Sequence, residues 1–279
     1  MNEDESAKLK QVEIALLKAF DECCRRIGVK YYMIGGSLIG TIRHHGFIPW
    51  DDDIDVGMMR SDYEKFLKQG QKYLPDYYFI QSLYSEPDIL FNFAKMRDSR
   101  TTFIESSIKN AHINHGVYID IFPLDFYPEN QKEQKRINRK RRILGWRIRK
   151  ELSLPKENKD KLVSEIFRKG MGRILCVRYP RVRKAIEKRE ALYSSVATSN
   201  LLINYSGAYG KKEISAIDWY GEGEMKVFED ILVRVPSKYD EMLRKIYGDY
   251  MCFPPKEKRV AHHYTEVMDL DTPYTKYFK

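Results

Sequence analysis

Cysteine is scarce in this chain: its 279 residues include four, at Cys23, Cys24, Cys176 and Cys252. None has CxxC spacing or a set of partnered histidines, so neither a zinc site nor a disulfide framework is predicted, and a reducing cytoplasm suits the chain best. No run of about 18 apolar residues is present, which predicts that no segment spans a membrane. The polar start, MNEDESAKLK, predicts no signal peptide.

The composition is that of a globular protein with one unusual segment. Hydrophobic residues make up 43% of the chain and aromatic residues 13%, enough for a substantial core. The net charge is +9, but the segment from Gln131 to Glu190 holds 22 Lys and Arg against 7 Asp and Glu, so the remainder is net acidic. We predict a single catalytic domain over residues 1–279 with a basic helical insert at 131–190.

The most informative stretch is YYMIGGSLIGTIRHHGFIPWDDDIDVG, which begins at Tyr31. Its first four residues predict a buried strand, and Leu38 to His45 predict a helix that Gly46 ends. Between them, Gly36 and Ser37 are small enough for backbone amides to approach a ligand closely. A turn of this kind at the head of a helix suits a phosphate group.

Acidic residues alternate with apolar ones at the end of this stretch. Because side chains of a strand change faces at every residue, Asp53 and Asp55 are expected on one face and Ile54 and Val56 in the core. Two carboxylates this close repel each other unless a cation lies between them, and Mg²⁺ or Mn²⁺ prefers carboxylate oxygens. We interpret the preceding acids, Asp51 and Asp52, as turn and cap residues.

A second stretch, YIDIFPLD, places one acid inside an apolar strand. Val117 to Phe122 is predicted as the strand, with Pro123 and Asp125 opening a turn. An isolated acid among isoleucines is costly unless it is paired or binds a metal. Asp120 is therefore the candidate third metal ligand or general base.

Two cations are candidates for further contacts with donor phosphates. Arg43 follows the glycine-serine turn, and Lys95 lies near the end of a predicted strand. Arg43 could instead pair with Asp51 or Asp52, and Lys95 could be an ordinary strand-end lysine.

The rest of the chain predicts helices around a mixed sheet, an α/β (α+β) fold. An amphipathic helix is expected over Ala7 to Ile27. A second should run from Ser61, its N-cap with Glu64 completing a capping box, to about Tyr73. The remaining predictions are strands at Tyr77 to Leu83, Leu90 to Met96, Thr101 to Ile108 and Phe228 to Val235, and a helix at Tyr239 to Tyr247 closed by Gly248.

The basic insert allows two interpretations. It combines RRILGWRIRK with an apolar stripe of Val163, Ile166, Phe167, Met171, Ile174 and Leu175. This pattern suits either a helix pair resting on anionic lipid or a solvated insert that packs on the core. A nucleic-acid partner is not predicted, because the segment lacks regularly interleaved exposed aromatics.

Three blocks resemble the LicD family, which includes the fukutin branch. They are GGSLIGTIRHHGFIPWDDDIDVGMMRSDYEKF, YIDIFPLD, and VFEDILVRVP with YDEMLRKIYGDYMCFPP, and together they cover residues about 25–125 and 225–260. The resemblance implies a nucleotidyltransferase-like mixed sheet, with Asp53 and Asp55 holding the metal and Asp120 in the third acidic position. No cysteine set matches the zinc finger of the fukutin-related branch, so the bacterial branch fits better.

The resemblance also implies a function. We expect transfer of a phospho-alcohol, phosphorylcholine in the first place, from a CDP-linked donor such as CDP-choline to a cell-surface glycan or its lipid-linked precursor. The enzyme is expected in the cytoplasm, at the inner face of the membrane. The alternatives are a nucleotidyltransferase of the same fold and a non-catalytic, basic membrane-docking protein.

Overall fold

The computed structural model describes residues 3–86, 88–106, 108–109, 111–151, 180–259 and 265–277. Helix α1 (Glu3–Ile27) confirms the first predicted helix. Leu16 and Phe20 on its apolar face are fully buried, and they pack against the central sheet. Gly28 ends the helix with a φ of +69°, a backbone conformation that costs glycine little.

A mixed sheet of seven strands confirms the predicted fold class. In spatial order its main path runs β1 (Tyr32–Met33), β2 (Asp55–Met59), β6 (Val117–Tyr127), β4 (Ala94–Asp98) and β3 (Tyr78–Gln81). Two short strands, β7 (Leu201–Ile203) and β8 (Ser215–Ala216), extend it from the end of β6. Among the described strands, only β2 and β6 are parallel to each other, and this pair forms the centre of the sheet.

The turn predicted at Pro123 and Asp125 is wrong, because β6 continues to Tyr127. The proline is tolerated because of how the neighbouring strands are arranged. On one edge β6 pairs with β4 up to Ile121 and with β7 from Asp125 onwards. Pro123 lies between these two partners, so its missing N–H removes no ladder hydrogen bond on that edge.

Two predicted helix boundaries also differ. The first helix after β1, α2 (Gly35–Ile39), begins at the glycines and passes into a π-helical turn over Gly40–His44. His45, with a φ of +56°, ends this turn in a left-handed conformation, one residue before the predicted stop at Gly46. Helix α3 (Arg60–Gln69) starts directly after β2 and has no side-chain cap, so the capping box predicted at Ser61 is wrong. A 3₁₀ turn then reaches Tyr73, where the prediction ended it.

Beyond the insert, a hairpin replaces the single strand predicted at Phe228 to Val235. Strand β9 (Glu224–Phe228) turns at Glu229 and Asp230 into β10 (Ile231–Val235). A second small sheet pairs β5 (Thr102–Glu105), within the predicted Thr101 to Ile108, with β11 (Thr265–Asp269). Between these elements, α6 (Tyr239–Tyr247) has the predicted bounds and is closed by Gly248.

The described part of the insert consists of two helices, α4 (Gln131–Glu151) and α5 (residues 180–193). Ile148 and Ile186 pack in one small apolar cluster with Leu83 of the body. Arg60 Nη1 donates to Glu190 of α5 at 2.5 Å while its Nε bonds Asp125 at 2.7 Å. The insert is therefore anchored to the body by apolar contacts and by a buried charge network.

The apolar stripe predicted from Val163 to Leu175 lies outside the described residues. No helix among the described segments is both long and apolar enough to cross a bilayer. On α4, the side chains of Ile143 and Trp146 are 45% and 58% exposed. This helix therefore keeps some apolar surface uncovered.

Candidate active site

Acidic side chains meet where β2 and β6 run side by side. Asp55 and Asp120 are direct partners in the parallel ladder, and the Asp120 amide donates to the Ile54 carbonyl at 2.8 Å. Ile54 and Val56 are fully buried, so the predicted alternation of faces is confirmed. The acids of this face line a cavity of about 880 Å³.

The loop before β2 brings further acids to the same place. Ligand oxygens of Asp51, Asp52 and Asp53 all lie within 4.8 Å of one another. The Asp51 amide does donate to the Ile48 carbonyl in a turn, as predicted, but Asp51 also lines the cavity together with Asp53 and Asp55. The sequence interpretation missed this second role, although the alternation at residues 51, 53 and 55 contains the signal. Asp51, Asp53, Asp55 and Asp120 are called the acidic wall below.

Negative charge is in excess at the acidic wall. Burial, then Asp53, Asp120 and Asp51, raise the pKa of Asp55 well above its usual range. On α1, burial and the acids at 51 to 53 likewise raise the pKa of Glu13, which sequence reasoning had not singled out. Carboxylates crowd in this way where a cation is to be bound, because each then stabilises the same ion.

The glycine pair makes room for these carboxylates. A Cβ on Gly35 would lie 2.9 Å from Asp55 Oδ2, and one on Gly36 would lie 2.6 Å from Asp51 Oδ2. Ser37 is 4% exposed, and its Oγ accepts a hydrogen bond from the Asp55 amide at 2.8 Å. Gly36 thus lines the cavity as a phosphate contact would, whereas Ser37 holds the start of β2 from behind.

Lys95, the second residue of β4, lies in a buried charge network. Its Nζ is 2.9 Å from Asp120 Oδ1 and 3.7 Å from Glu105 Oε2, and it lies 3.3 Å from the centre of the Tyr118 ring. The side chain is only 5% exposed and does not line the cavity. Lys95 therefore offsets the charge of Asp120 from within the sheet.

Arg43 lines the cavity on the side of the loop that follows α6. Its Nη1 donates to the carbonyl of Tyr250 at 2.5 Å and to that of Cys252 at 3.4 Å. Its guanidinium carbon lies 4.8 Å from the centre of the Phe253 ring. These contacts hold the side chain at the cavity, where it was predicted to contact the donor.

The β9–β10 hairpin holds the loop that carries the acids. Glu229 Oε1 accepts from the Phe47 amide at 3.0 Å, and the Glu229 amide donates to the His45 carbonyl at 2.7 Å. A side chain at Gly46 would collide with the same carboxylate. Sequence reasoning missed this contact because the partners are 182 positions apart.

The parallel β2–β6 pair carries acids on both strands beside a glycine-rich helix start. Residues 28–161 match the family described as LicD/FKTN/FKRP, nucleotidyltransferase domain. The chain therefore carries a domain of the LicD family.

Three relatives illustrate the range of this similarity. The chain is 29% identical over 266 residues to the lipopolysaccharide cholinephosphotransferase LicD of Haemophilus influenzae. This alignment covers 90% of this chain and 93% of that protein. An uncharacterised protein of Rickettsia prowazekii is 32% identical over 115 residues, or 41% of this chain and 40% of its own length. Human ribitol 5-phosphate transferase FKRP is 51% identical over 35 residues, 12% of this chain and 7% of that protein. Both named enzymes are phosphotransferases.

Proposed function

We propose that this protein transfers phosphorylcholine from CDP-choline to a surface glycan or its lipid-linked precursor in a metal-dependent reaction. The observation that carries the proposal is the acidic wall: Asp51, Asp53, Asp55 and Asp120 converge beside a glycine turn on one cavity. Similarity over 90% of the chain to a cholinephosphotransferase supports the choice of alcohol.

The residues at the acidic wall fit a divalent cation. The potential ligands at the wall are carboxylate oxygens, which Mg²⁺ and Mn²⁺ prefer. The raised pKa of Asp55 reflects burial first and then repulsion by the neighbouring acids, and a bound cation would offset both. Asp53 and Asp55 would hold the ion, and Asp51 is close enough to Asp53 to join them. Such an ion, when bound, neutralises charge that develops on the leaving phosphate.

The reaction itself exchanges one bond to phosphorus for another. A hydroxyl oxygen of the glycan bonds to the phosphorus of phosphorylcholine, the bond from that phosphorus to CMP breaks, and CMP leaves. Asp120 would either take the proton of the hydroxyl or complete a second metal site. Its contact with Lys95 favours the metal role, since one oxygen of that carboxylate is already held by a cation. In that role the proton of the hydroxyl would leave on the phosphate of the departing CMP.

The exposed side of the insert suits an anionic membrane surface. Arg136, Lys140, Arg147 and Lys188 surround Ile143 and Leu144 at a groove between α4 and α5. Basic side chains around exposed apolar ones are the arrangement expected of a helix lying on anionic lipid. Such contact would bring the cavity near lipid-linked acceptors at the inner face of the membrane.

Donor choice is tested by isothermal titration of CDP-choline, CDP-glycerol, CDP-ribitol, UDP-glucose and ATP, each with Mg²⁺. The proteins are the wild type, the double variant Asp53→Asn/Asp55→Asn and the control Asp76→Asn, whose acid is exposed. We expect CDP-choline to bind the wild type and the control tightly and the double variant weakly. Tight binding of another CDP-alcohol would replace choline in the proposal.

Two other outcomes would overturn the proposed class of reaction and not only the choice of alcohol. Metal-dependent binding of ATP in place of CDP-alcohols would indicate a nucleotidyltransferase. No binding of any donor would favour the non-catalytic, membrane-docking alternative.

Membrane contact has its own test. Sedimentation with vesicles of phosphatidylglycerol is compared for the wild type, for Lys140→Gln/Arg147→Gln and for Lys68→Gln/Lys72→Gln, whose lysines are exposed on α3 and its 3₁₀ turn. Each basic residue near the surface contributes about 1 kcal/mol, so the first pair should weaken binding roughly tenfold or more. Equal binding by all three proteins would contradict the membrane proposal.

A further inference from the structure

Opposite in charge to the acidic wall, an aromatic and cationic group of residues lies where the cavity meets solvent. It consists of Arg43, His44, Trp50, Phe253 and Arg259 and is called the cationic rim below. Phe253 both lines the cavity and is 54% exposed. His44 stacks on the Phe253 ring with 5.6 Å between ring centres, and the Trp50 ring meets Phe253 edge-on at 6.2 Å.

Two guanidinium groups approach the same ring. The guanidinium carbons of Arg43 and Arg259 lie 4.8 Å and 5.4 Å from the centre of Phe253. Within the described segments neither arginine forms an ion pair, and their nearest polar partners are backbone carbonyls. Burial and the neighbouring Arg259 lower the pKa of Arg43, so each cation is in the field of the other.

The hydrogen bonds of Arg43 leave part of its guanidinium available. Nε bonds His44 at 3.0 Å and Nη1 bonds the carbonyls of the following loop, while Nη2 makes no hydrogen bond to any described residue. Two neighbouring cations without an acidic partner, one with a free donor group, are the arrangement that binds an anion.

The charge of the rim also decides which end of a donor it suits. A choline headgroup would have to approach aromatic rings that two guanidiniums already contact, and like charges would repel it. A nucleoside phosphate meets no such barrier, since its base stacks on an aromatic ring and its phosphate bonds arginine.

We propose that the cationic rim binds the nucleoside-phosphate end of the donor, with the base against the exposed part of the Phe253 ring and the phosphate between Arg43 and Arg259. This inference rests on the proposed function and deepens it. Trp50 directly precedes Asp51, so the nucleotide at the rim leaves its pyrophosphate beside the acidic wall. The choline end then lies deeper in the cavity, away from both arginines.

The test measures CMP binding by isothermal titration in the presence of EDTA, so that the acidic wall contributes no metal. The variants are Phe253→Leu, Phe253→Tyr and Arg259→Gln. The matched controls are Tyr73→Leu, 43% exposed, and Arg26→Gln, whose side chain is 57% exposed on α1. Because the varied side chains are at the surface or in a loop, circular dichroism should give the wild-type spectrum for every protein.

We expect Phe253→Leu and Arg259→Gln each to weaken CMP binding about tenfold, since base stacking and a charged hydrogen bond are each lost. Phe253→Tyr should restore affinity, and the controls should match the wild type. Cytidine should be sensitive to Phe253→Leu alone, and ribose 5-phosphate to Arg259→Gln alone.

Wild-type affinity for CMP in both rim variants would overturn the inference, as would a wild type that binds no CMP. Neither result decides the proposed function, which is measured separately as incorporation of labelled choline from CDP-choline. Loss of CMP binding in the rim variants together with no choline transfer by the wild type would sustain the rim and overturn the proposed function.

Discussion

The acidic wall and the cationic rim face one cavity and are built in opposite ways. The wall is set in the central sheet, where β2 and β6 fix two of its acids in register and the glycine pair leaves space for carboxylates. The rim is assembled from an exposed loop and a π-helical turn, and its cations rest on aromatic rings. A ligand that binds both the rim and the wall must be an anion, and a metal ion must link it to the carboxylates of the wall.

Breaking the wall should have the largest effect. Asp53→Asn/Asp55→Asn removes two carboxylates that would hold the metal, which is worth several kcal/mol of transition-state stabilisation. We expect kcat for choline transfer to fall by about 10³-fold or more. CMP binding without metal should be unchanged, because the rim is intact. A double variant that retains wild-type kcat would separate the wall from catalysis.

Removing the cation behind the wall should cost stability. Lys95→Met leaves the buried Asp120 carboxylate without its 2.9 Å partner, and breaking a buried pair costs about 3–5 kcal/mol. Urea unfolding should detect this loss, while Lys68→Met, at an exposed position of α3, should match the wild type. The double variant Lys95→Met/Asp120→Asn should recover part of the loss. A Lys95→Met protein as stable as the wild type would refute the account of Lys95.

A smaller effect is expected at the contact that orients the wall. Glu229→Ala removes the acceptor for the Phe47 amide, and supporting contacts of this kind are worth about 10–100-fold in metal affinity or activity. Mn²⁺ binding should weaken about tenfold, and Glu229→Gln, which keeps the acceptor oxygen, should bind nearly as the wild type does. Glu222→Ala is the control, since its side chain is 87% exposed. Equal Mn²⁺ affinity in the Ala and Gln variants would argue against this role.

The smallest expected effect is a gain in the stability of the metal-free protein when Asp55 is replaced by Asn. Since the pKa of Asp55 is raised in the metal-free fold, ionising that carboxyl destabilises the native state as pH rises above the usual range of an aspartic acid. Asp55→Asn should therefore stabilise the metal-free protein by about 1 kcal/mol near neutral pH, or ~2–4 °C in Tm. The gain should begin above the usual pKa of an aspartic acid and grow as the pH rises toward the raised pKa of Asp55. Thermal melts in EDTA measure it, and Mg²⁺ should reverse the order; a variant that melts below the wild type in EDTA would contradict it.

Local sequence patterns predicted the acidic wall better than the cationic rim. Alternation was enough to place Asp53 and Asp55 on one face and to bury Ile54 and Val56, because strand geometry depends on adjacent residues. Asp120 was identified as an isolated acid within an apolar strand. The glycine turn was identified as a candidate phosphate contact, but the space that it leaves for the carboxylates of the wall was not predicted.

The remaining features depend on partners far away in the chain. The lysine behind Asp120 and the strand that passes through Pro123 follow from which strands became neighbours. The rim joins residues that are about 200 positions apart, as the bond from Arg43 to Tyr250 illustrates with a separation of 207. No local pattern encodes such pairs, although the late block VFED and the early block GFIPWDDD do contain the two sides of the Glu229 contact.

The hydrogen bond from the Phe47 amide to Glu229 has a consequence for synthesis on the ribosome. The acids emerge first, but the hairpin that orients their loop follows 182 residues later, after the whole basic insert has been made. A nascent chain therefore carries the acidic side chains of the site long before the hairpin can hold their loop in position. Contacts between residues so far apart in sequence form late in folding. Chains truncated before Glu229 lack this hydrogen bond and should therefore bind the donor weakly.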